Sequence, residues 1–249
     1  MRATAARITL NRPAERNALS LELMEELIAA LRGLGAVAET RTIVIEGAGP
    51  AFSAWHDLSE MVGRELDFYQ RLFDTCAVMI ETIHELPQPV IAKVHGMATA
   101  AGCQLVAACD LAVTAEGARF ATPGVRIGLF CSMPMVPLSR AVGRKRALEM
   151  LLAGDRSMPA RRSSGGSSTA SSRAAELEHA VAELEAAIAR SSPLTVGIGK
   201  EAFYGQVELD EHRAYELTKS VMATNSLADD AQEGICAFLE KRPPTWKGQ

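Results

Sequence analysis

The stretch VIAKVHGMATAAGCQLVAACD, residues 90–110, carries the pattern that decides the fold. Its first five residues are mostly apolar, which predicts a short buried strand. Small or flexible residues follow at 97–101, and from Gly102 onward the apolar spacing becomes helical. The stretch therefore predicts a strand, a turn of small residues and then a helix.

The start of this helix is a candidate site for a negatively charged group. The N–H groups of a first helical turn have no partner inside the helix and point out of its N-terminus. Together with the helix dipole they favour a phosphate or the oxyanion of an attacked carbonyl. An ordinary connection to a buried helix would require the same small residues, so both interpretations stand at this point.

Length and composition indicate a globular protein with a sizeable core. The 249 residues include 48% apolar and 22% charged side chains, and the net charge is −4. This composition fits one large domain, or one domain with a helical extension, and does not predict nucleic-acid binding. The first ten residues do not have the pattern of a signal peptide, and no run of about eighteen apolar residues predicts a membrane span.

The cysteines predict a reducing environment. Their number is odd, and their spacing is that of neither a metal site nor a redox motif. We therefore expect reduced thiols, no bound metal and a cytoplasmic location. The five residues are Cys76, Cys103, Cys109, Cys131 and Cys236.

Strands and helices alternate on both sides of the opening stretch, which predicts a mixed α/β fold. Strands are predicted at residues 7–10, 42–46, 111–114 and 119–121, and helices after Ser20 and at residues 67–85 and 141–152. Residues 51–61 and 122–137 are predicted to be mainly loop. The last part of the chain predicts only helices, around residues 177–188, 215–222 and 230–242.

One segment stands apart from this pattern. Residues 161–173 consist of serine, glycine, arginine, threonine and alanine. Such a composition predicts a flexible loop, although a long structureless insert between two well-patterned helices is unusual.

Several motifs, in this order and spacing, resemble the crotonase (enoyl-CoA hydratase/isomerase) superfamily over nearly the whole chain. They are ITLNRP (8–13) with NAL (17–19), FSA (52–54) with DL (57–58), PVIA (89–92), AGC (101–103) with CDL (109–111), FATPGVRIG (120–128), RAVG (140–143), and QEG (232–234) with FLEKR (238–242). Within that family, residues 120–125 and 128–132 resemble the branch of enoyl-CoA hydratase domain-containing protein 3.

The resemblance implies an α/β architecture: the crotonase (ClpP-like) spiral of ββα units with a C-terminal helical trimerisation region. On this basis we expect residues 1–190 to form an acyl-CoA-binding core and residues 191–249 a helical oligomerisation region. The implied assembly is a homotrimer, or a hexamer made of two trimers.

The resemblance also implies a coenzyme A thioester as substrate or ligand, and no permanently bound cofactor. The thioester carbonyl would be polarised by the backbone N–H groups of His56 and Ala101, which would stabilise a developing oxyanion. Contacts to coenzyme A are implied for four residues, namely Ala54, Trp55, Asp57 and Leu58.

The chain departs from the family at both acid/base positions. Family hydratases use two glutamates to position and deprotonate a water molecule, and this chain has Gln104 and Gly124 at those places. An amide exchanges no proton at neutral pH, and glycine has no side chain. The standard two-glutamate hydration therefore lacks both of its acid/base groups.

Other side chains near the site leave alternatives open. The ring of His56 titrates near neutral pH when unperturbed, whereas Cys103 and Cys131 lack an identifiable base and are more typical of small buried residues. The family has glycine at the position of Trp55, where glycine permits close approach or a positive φ. An indole there could reshape the loop, stack on adenine or block the pocket, or it could point outward.

Three functions are compatible with these residues. The first is a family member that binds a fatty acyl-CoA or enoyl-CoA and, if active, is a hydratase-like lyase or an isomerase. The second is a catalytically silent acyl-CoA-binding or regulatory protein, as the missing glutamates indicate. The third is an assembly or scaffold protein that depends on its C-terminal helices.

Overall fold

Two parallel sheets lie at the centre of the protein, in a computed structural model that describes residues 4–154, 170–172 and 174–249. The larger sheet contains, in spatial order, β1 (Thr4–Leu10), β2 (Thr40–Gly47), β4 (Val90–Val94), β6 (Leu111–Ala115) and β8 (Ala170–Ser172). The smaller sheet contains β3 (Ala51–Ala54), β5 (Met97–Thr99) and β7 (Arg119–Ala121). All neighbouring strands in both sheets are parallel.

Helices cross between these strands because parallel strands cannot be joined by a tight hairpin. The described part of the chain contains α1 (Leu21–Gly35), α2 (Leu66–Glu85), α3 (Ala101–Ala108), α4 (Ser132–Val142), α5 (Arg144–Ala153), α6 (Leu177–Ala189), α7 (Pro193–Gln206), α8 (Glu211–Asn225) and α9 (Asp229–Glu240). The last three form the C-terminal helical layer. No helix within the described ranges is long and apolar enough to cross a membrane.

The larger sheet is covered on both faces, and its strands are apolar on both sides for that reason. In β2, Ile43 and Ile45 belong to the main core with α1 and α2, whereas Val44 faces the opposite side. There it packs in a smaller cluster with Leu177 and Val181 of α6. The alternation along β2 thus assigns successive side chains to two separate cores.

Most of the predicted elements are confirmed, with ends that differ by a few residues. Helix α1 begins after Ser20, whose hydroxyl accepts the backbone N–H of Leu23 as an N-cap. The predicted α/β class is also confirmed. The predicted division between core and oligomerisation region falls between α6 and α7, and it stays a prediction.

Four predictions of local structure are wrong. The predicted loop at 51–61 begins with β3, and the turn at 97–101 contains β5, since strands of three or four residues are too short to show a period of two. Helix α4 occupies part of the predicted loop at 122–137: Pro134 lies in its first turn, where no N–H is needed, and Pro137 lies inside the helix, where it removes one backbone hydrogen bond. The predicted helix at 141–152 is interrupted at Gly143, and α7 was not predicted.

The predicted flexible segment is only partly described. Residues 161–169 and 173 lie outside the described residues. For residues 170–172 the prediction of a loop is wrong, because they pair with β6 as the edge strand β8. Ladder hydrogen bonds join backbone groups, so a short strand can form from serine and alanine.

A buried cluster around Asp110 joins the C-terminal layer to the core. Its carboxylate lies 2.7 Å from Lys200 Nζ, accepts the hydroxyl of Tyr204 at 2.8 Å, and accepts the N–H of Val90 at 2.6 Å. Lys200 also donates to the carbonyls of Ile83 and Gln88. Asp110 thus satisfies a backbone donor, but it also forms a buried ion pair with α7 that the sequence did not indicate.

We expect Lys200→Met to destabilise the protein by about 3–5 kcal/mol, because it leaves a buried carboxylate without its cation. Urea unfolding followed by circular dichroism measures this free energy of unfolding. The matched control is Lys219→Met, since Lys219 is exposed and pairs with Glu216 on the same helix, and it should change the free energy by less than about 0.5 kcal/mol. Equal effects of the two substitutions would contradict a stabilising role for the buried pair.

Candidate functional site

The three strands of the smaller sheet end side by side. Ala54 of β3 pairs with Thr99 of β5, and Thr99 pairs with Ala121 of β7. The segments that follow all leave the same edge, which is the carboxyl end of a parallel sheet. Ligands of open α/β sheets bind outside this end of the strands, so the residues just after each strand form the candidate site.

The first segment turns sharply at Trp55. This residue has a φ of +69°, in the left-handed region that side chains other than glycine rarely adopt. Its N–H donates to the carbonyl of Thr99 at 2.9 Å, and its carbonyl accepts the N–H of Leu19 at 3.0 Å. The N–H of Asp57 donates to Leu19 at 3.1 Å. His56 therefore lies between two residues whose backbone hydrogen bonds are fixed.

The second segment turns in the same way at Ala100. This residue has a φ of 49° and a ψ of −113°, and it precedes the first residue of α3. Its N–H donates to the carbonyl of Ala121 at 2.9 Å, and its carbonyl accepts the N–H of Gln104 at 2.9 Å. Strained backbone of this kind costs about 1–3 kcal/mol and is found most often at functional sites.

Two N–H groups remain outside this hydrogen-bond pattern. The backbone bonds made within the described residues engage the N–H groups of Trp55, Asp57 and Ala100, but not those of His56 and Ala101. Each of these two groups directly follows a residue with positive φ. The N–H of Ala101 also belongs to the first turn of α3, where backbone donors have no partner inside the helix.

Close packing between the two segments requires glycine at the start of α3. A Cβ atom on Gly102 would lie 2.0 Å from the carbonyl oxygen of Ser53 in β3. Because no side chain fits there, α3 can begin directly beside the end of β3. Gly102 thereby sets the separation between the two segments that carry His56 and Ala101.

The ring of His56 faces the protein interior. Its Nδ1 atom lies 3.3 Å from the carbonyl oxygen of Leu19, and the ring packs edge-on against Phe73. Burial lowers the pKa of His56, and the backbone carbonyl of Leu19 partly opposes this shift. The imidazole is therefore neutral at pH 7, and its Nε2 atom has no hydrogen-bond partner among the described residues.

Gln104, at the first position where an acid/base residue is expected, is buried on α3. Its Oε1 atom lies 3.7 Å from the thiol of Cys76. The residue lines a cavity of about 680 Å³ between α2, α3, α4 and α7, whose walls are mostly apolar. The same cavity is also lined by three residues with carboxylate side chains, Glu81, Asp110 and Glu208.

Gly124, at the second position where an acid/base residue is expected, is closed in by backbone. A Cβ atom on Gly124 would lie 2.0 Å from the carbonyl oxygen of Leu129 and 2.7 Å from Sγ of Cys131. The N–H of Leu129 donates to Gly124 at 3.0 Å, and the N–H of Gly124 is hydrogen-bonded to the Cys131 thiol. The segment from Gly124 to Cys131 therefore folds back on itself, and no side chain of any kind fits at residue 124.

The two candidate thiols are poor nucleophiles. Cys103 and Cys131 are both buried, and burial raises the pKa of Cys103 to about 12. Burial also raises the pKa of Cys131, partly offset by the hydrogen bond from Gly124. The nucleophile of a cysteine enzyme is the thiolate, so both side chains are better described as small core residues.

A second cavity, of about 480 Å³, lies beside His56. It is lined by the four residues for which a contact to coenzyme A is expected, Ala54, Trp55, Asp57 and Leu58, and also by Arg16. The indole of Trp55 is half-buried and packs against the main core, so it does not point outward. Within the described residues, neither Ala101 nor Gly124 lines either of the two cavities.

The N-terminal loop contains site residues that sequence reasoning did not identify. Arg12 forms a 2.9 Å ion pair with Asp57, and the buried side chain of Asn17 donates to the carbonyls of Ala51 and Phe52. Both belong to the motifs NRP and NAL, which were noted only as a family resemblance. The two motifs were therefore visible in the sequence, but only the fold shows that the loop with Arg12 and Asn17 packs beside β3.

Comparison with known proteins gives the same family over the full length. A family model described as enoyl-CoA hydratase/isomerase matches residues 1–249. The Danio rerio and Homo sapiens proteins named enoyl-CoA hydratase domain-containing protein 3, mitochondrial, are 43% and 42% identical over 96% of this chain, and over 83% and 79% of their own lengths. A crystal structure of an enoyl-CoA hydratase from Mycobacterium smegmatis has a TM-score of 0.95 and 42% identity, covering 99% of this chain and 96% of that one.

These comparisons confirm the expected fold and branch and correct one prediction. The superposition confirms the crotonase fold, and the two vertebrate relatives belong to the expected branch. The predicted cytoplasmic location is wrong by this comparison, because both relatives are named mitochondrial. Reduced thiols fit either location, so cysteine usage could not distinguish them.

We expect Gly124→Ala to lower the free energy of unfolding by about 1–3 kcal/mol, the usual cost of overpacking a tight site. Thermal unfolding measures the effect. The matched control is Gly33→Ala in α1, where nothing lies within 4 Å of the new Cβ and helix propensity predicts a gain of up to about 1 kcal/mol. If Gly124→Ala were as stable as the control, the backbone between Gly124 and Cys131 would have to shift at little energetic cost, which would contradict the close packing.

Proposed function

The chain belongs to the enoyl-CoA hydratase/isomerase family, and on this premise we propose that it binds a fatty acyl- or enoyl-coenzyme A thioester. The thioester carbonyl would accept hydrogen bonds from the N–H groups of His56 and Ala101. The observation that carries this proposal is the pair of N–H groups that make no backbone hydrogen bond. Each of them directly follows a residue with positive φ. Preorganised backbone donors of this kind stabilise a developing oxyanion in water-excluded sites.

Two backbone donors alone are not sufficient for hydration. They can hold a carbonyl and stabilise an enolate, but a hydratase also needs groups that give and take a proton. Gln104 cannot do so, and the position of Gly124 is filled by the backbone of Leu129. We therefore propose a thioester-binding protein in which the standard two-glutamate hydration does not operate.

The cavity of 480 Å³ suits the nucleotide part of the ligand. Trp55 offers an aromatic face on which a base can stack, and Arg16 brings a positive charge to the same cavity. Coenzyme A supplies both an adenine and phosphate groups. We propose that Ala54, Trp55, Asp57 and Leu58 line this part of the site and that no cofactor is permanently bound.

The assembly is proposed to be a homotrimer or a hexamer formed through the C-terminal layer. Several large apolar side chains on and next to α8 and α9 are exposed in the single chain: Tyr215, Met222, Leu227, Phe238 and Leu239. Exposed apolar side chains in such number are typical of subunit interfaces. Their position supports residues 191–249 as the oligomerisation region.

A scaffold protein without a ligand is the second candidate function. The indole of Trp55 lines the cavity at a position where the family resemblance implies glycine, and a bulky ring there can prevent the nucleotide from entering. In that case the C-terminal helices would carry the function through subunit contacts. Ligand binding by the purified protein distinguishes the two candidates.

We expect octanoyl-CoA to bind saturably to the purified protein in isothermal titration calorimetry. The comparison ligand is octyl-CoA, a thioether that lacks the carbonyl oxygen. It should bind about tenfold more weakly, because two net hydrogen bonds of about 0.5–1.5 kcal/mol each are lost. A folded protein that binds neither compound would contradict the proposal and favour the scaffold.

We expect no hydration of crotonyl-CoA above the rate in buffer, measured by the loss of absorbance of the enoyl thioester. The variant Gln104→Glu should not restore hydration, because only one of the two carboxylates returns. Its folding is checked by circular dichroism. Turnover by the wild-type chain would show that another group supplies the proton.

A further inference from the structure

The segment that precedes α1 runs beside β3 like an additional strand. The N–H of Ala54 donates to the carbonyl of Arg16, the N–H of Leu19 to Trp55, and the N–H of Asp57 to Leu19. The last two bonds form an isolated parallel bridge between Leu19 and His56. In such a bridge the N–H of His56 is directed away from Leu19, which leaves it available to a ligand.

Two side chains tie this segment to the residues on either side of His56. Asn17 is fully buried, donates from Nδ2 to the carbonyls of Ala51 and Phe52, and accepts the N–H of Arg12 at Oδ1. Arg12 donates to the carbonyl of Ala18 at 3.0 Å and to the carboxylate of Asp57 at 2.9 Å. The guanidinium therefore spans from the segment to the residue that follows His56.

The carboxylate of Asp57 is occupied by internal partners. Besides Arg12, it accepts the hydroxyl of Ser59 at 2.6 Å and the N–H of Ser59 at 3.2 Å. These hydrogen bonds, first that of the Ser59 hydroxyl and then that of Arg12, hold the pKa of Asp57 below its ordinary value. An unpaired carboxylate in this cavity would repel an anionic ligand, whereas the pair with Arg12 has no net charge.

We propose that Arg12 and Asp57 are positioning residues for the first backbone donor. Leu19 bonds to the peptides on both sides of His56, through its N–H to Trp55 and through its carbonyl from Asp57, and the ion pair fixes the side chain of Asp57 to the same segment. The orientation of the His56 N–H toward the thioester carbonyl depends on both. This inference rests on the proposed function, since it concerns the same donor and the same ligand class.

A general structural role of the ion pair would have a different consequence. If the pair only fastened the loop, its loss would weaken every coenzyme A ligand by the same factor. If it orients the His56 N–H, its loss should weaken only the ligand whose carbonyl accepts that hydrogen bond. The ratio of the affinities for octanoyl-CoA and octyl-CoA therefore separates the two roles.

The test is calorimetry of both ligands with Arg12→Met in the full-length protein. We expect the wild-type preference for the thioester, about tenfold, to fall to about twofold or less, while octyl-CoA binding changes little. Arg12→Lys retains the charge and should retain part of the preference. The matched control is Arg71→Met, since Arg71 forms an exposed ion pair with Glu25 that joins α1 to α2 and involves no residue of this loop, and it should retain the full preference.

The outcomes distinguish this inference from the proposed function. A wild-type protein that binds neither ligand, or binds both equally, would overturn the proposed function together with this inference. A wild-type preference that Arg12→Met leaves unchanged would overturn only the positioning role. If Arg12→Met does not fold, Asp57→Asn replaces it, because an amide keeps an acceptor oxygen for Ser59 but loses the charge that pairs with Arg12.

Discussion

The candidate site depends on two backbone turns that are held in the left-handed region by the parallel pairing of the smaller sheet. Trp55 and Ala100 each donate an N–H to the neighbouring strand, to Thr99 and Ala121 respectively. Neither residue is a glycine, so both conformations are strained and persist only because the surrounding hydrogen bonds fix them. The consequence is that the next N–H in each segment makes no backbone hydrogen bond within the described residues, which is the basis of the proposed donor role.

The donors and the acid/base groups of the family have separate structural origins, so one set can be lost without the other. Backbone N–H groups are present whatever the side chain, so the donor proposed at His56 does not depend on the residues around it. Carboxylates are side chains, and the two positions where they are expected carry Gln104 and Gly124. At Gly124 the change extends beyond one residue, because the carbonyl of Leu129 occupies the space that a side chain would need. Binding and hydration are thus physically separable in this fold.

The helix that begins at the second donor is anchored at both ends. At its N-terminus, Ala100 is bonded to β7, and beyond its C-terminus Asp110 forms the buried pair with Lys200 of α7. The C-terminal layer therefore contacts the core through the same helix that presents the N–H of Ala101.

The family resemblance assigned the donor role to His56 and Ala101, and that role stays a proposal. The sequence by itself determined the fold class and the positions of most strands and helices. It could do so because apolar periodicity and short motifs such as those at 8–19 and 101–111 are local properties of the chain. It could not reveal the ion pairs of Arg12 with Asp57 and of Asp110 with Lys200, whose partners are 45 and 90 residues apart in sequence. It also could not show that residue 124 is closed by the backbone of Leu129, or that Trp55 faces the core. Those features depend on which segments pack together, and only the tertiary structure decides that.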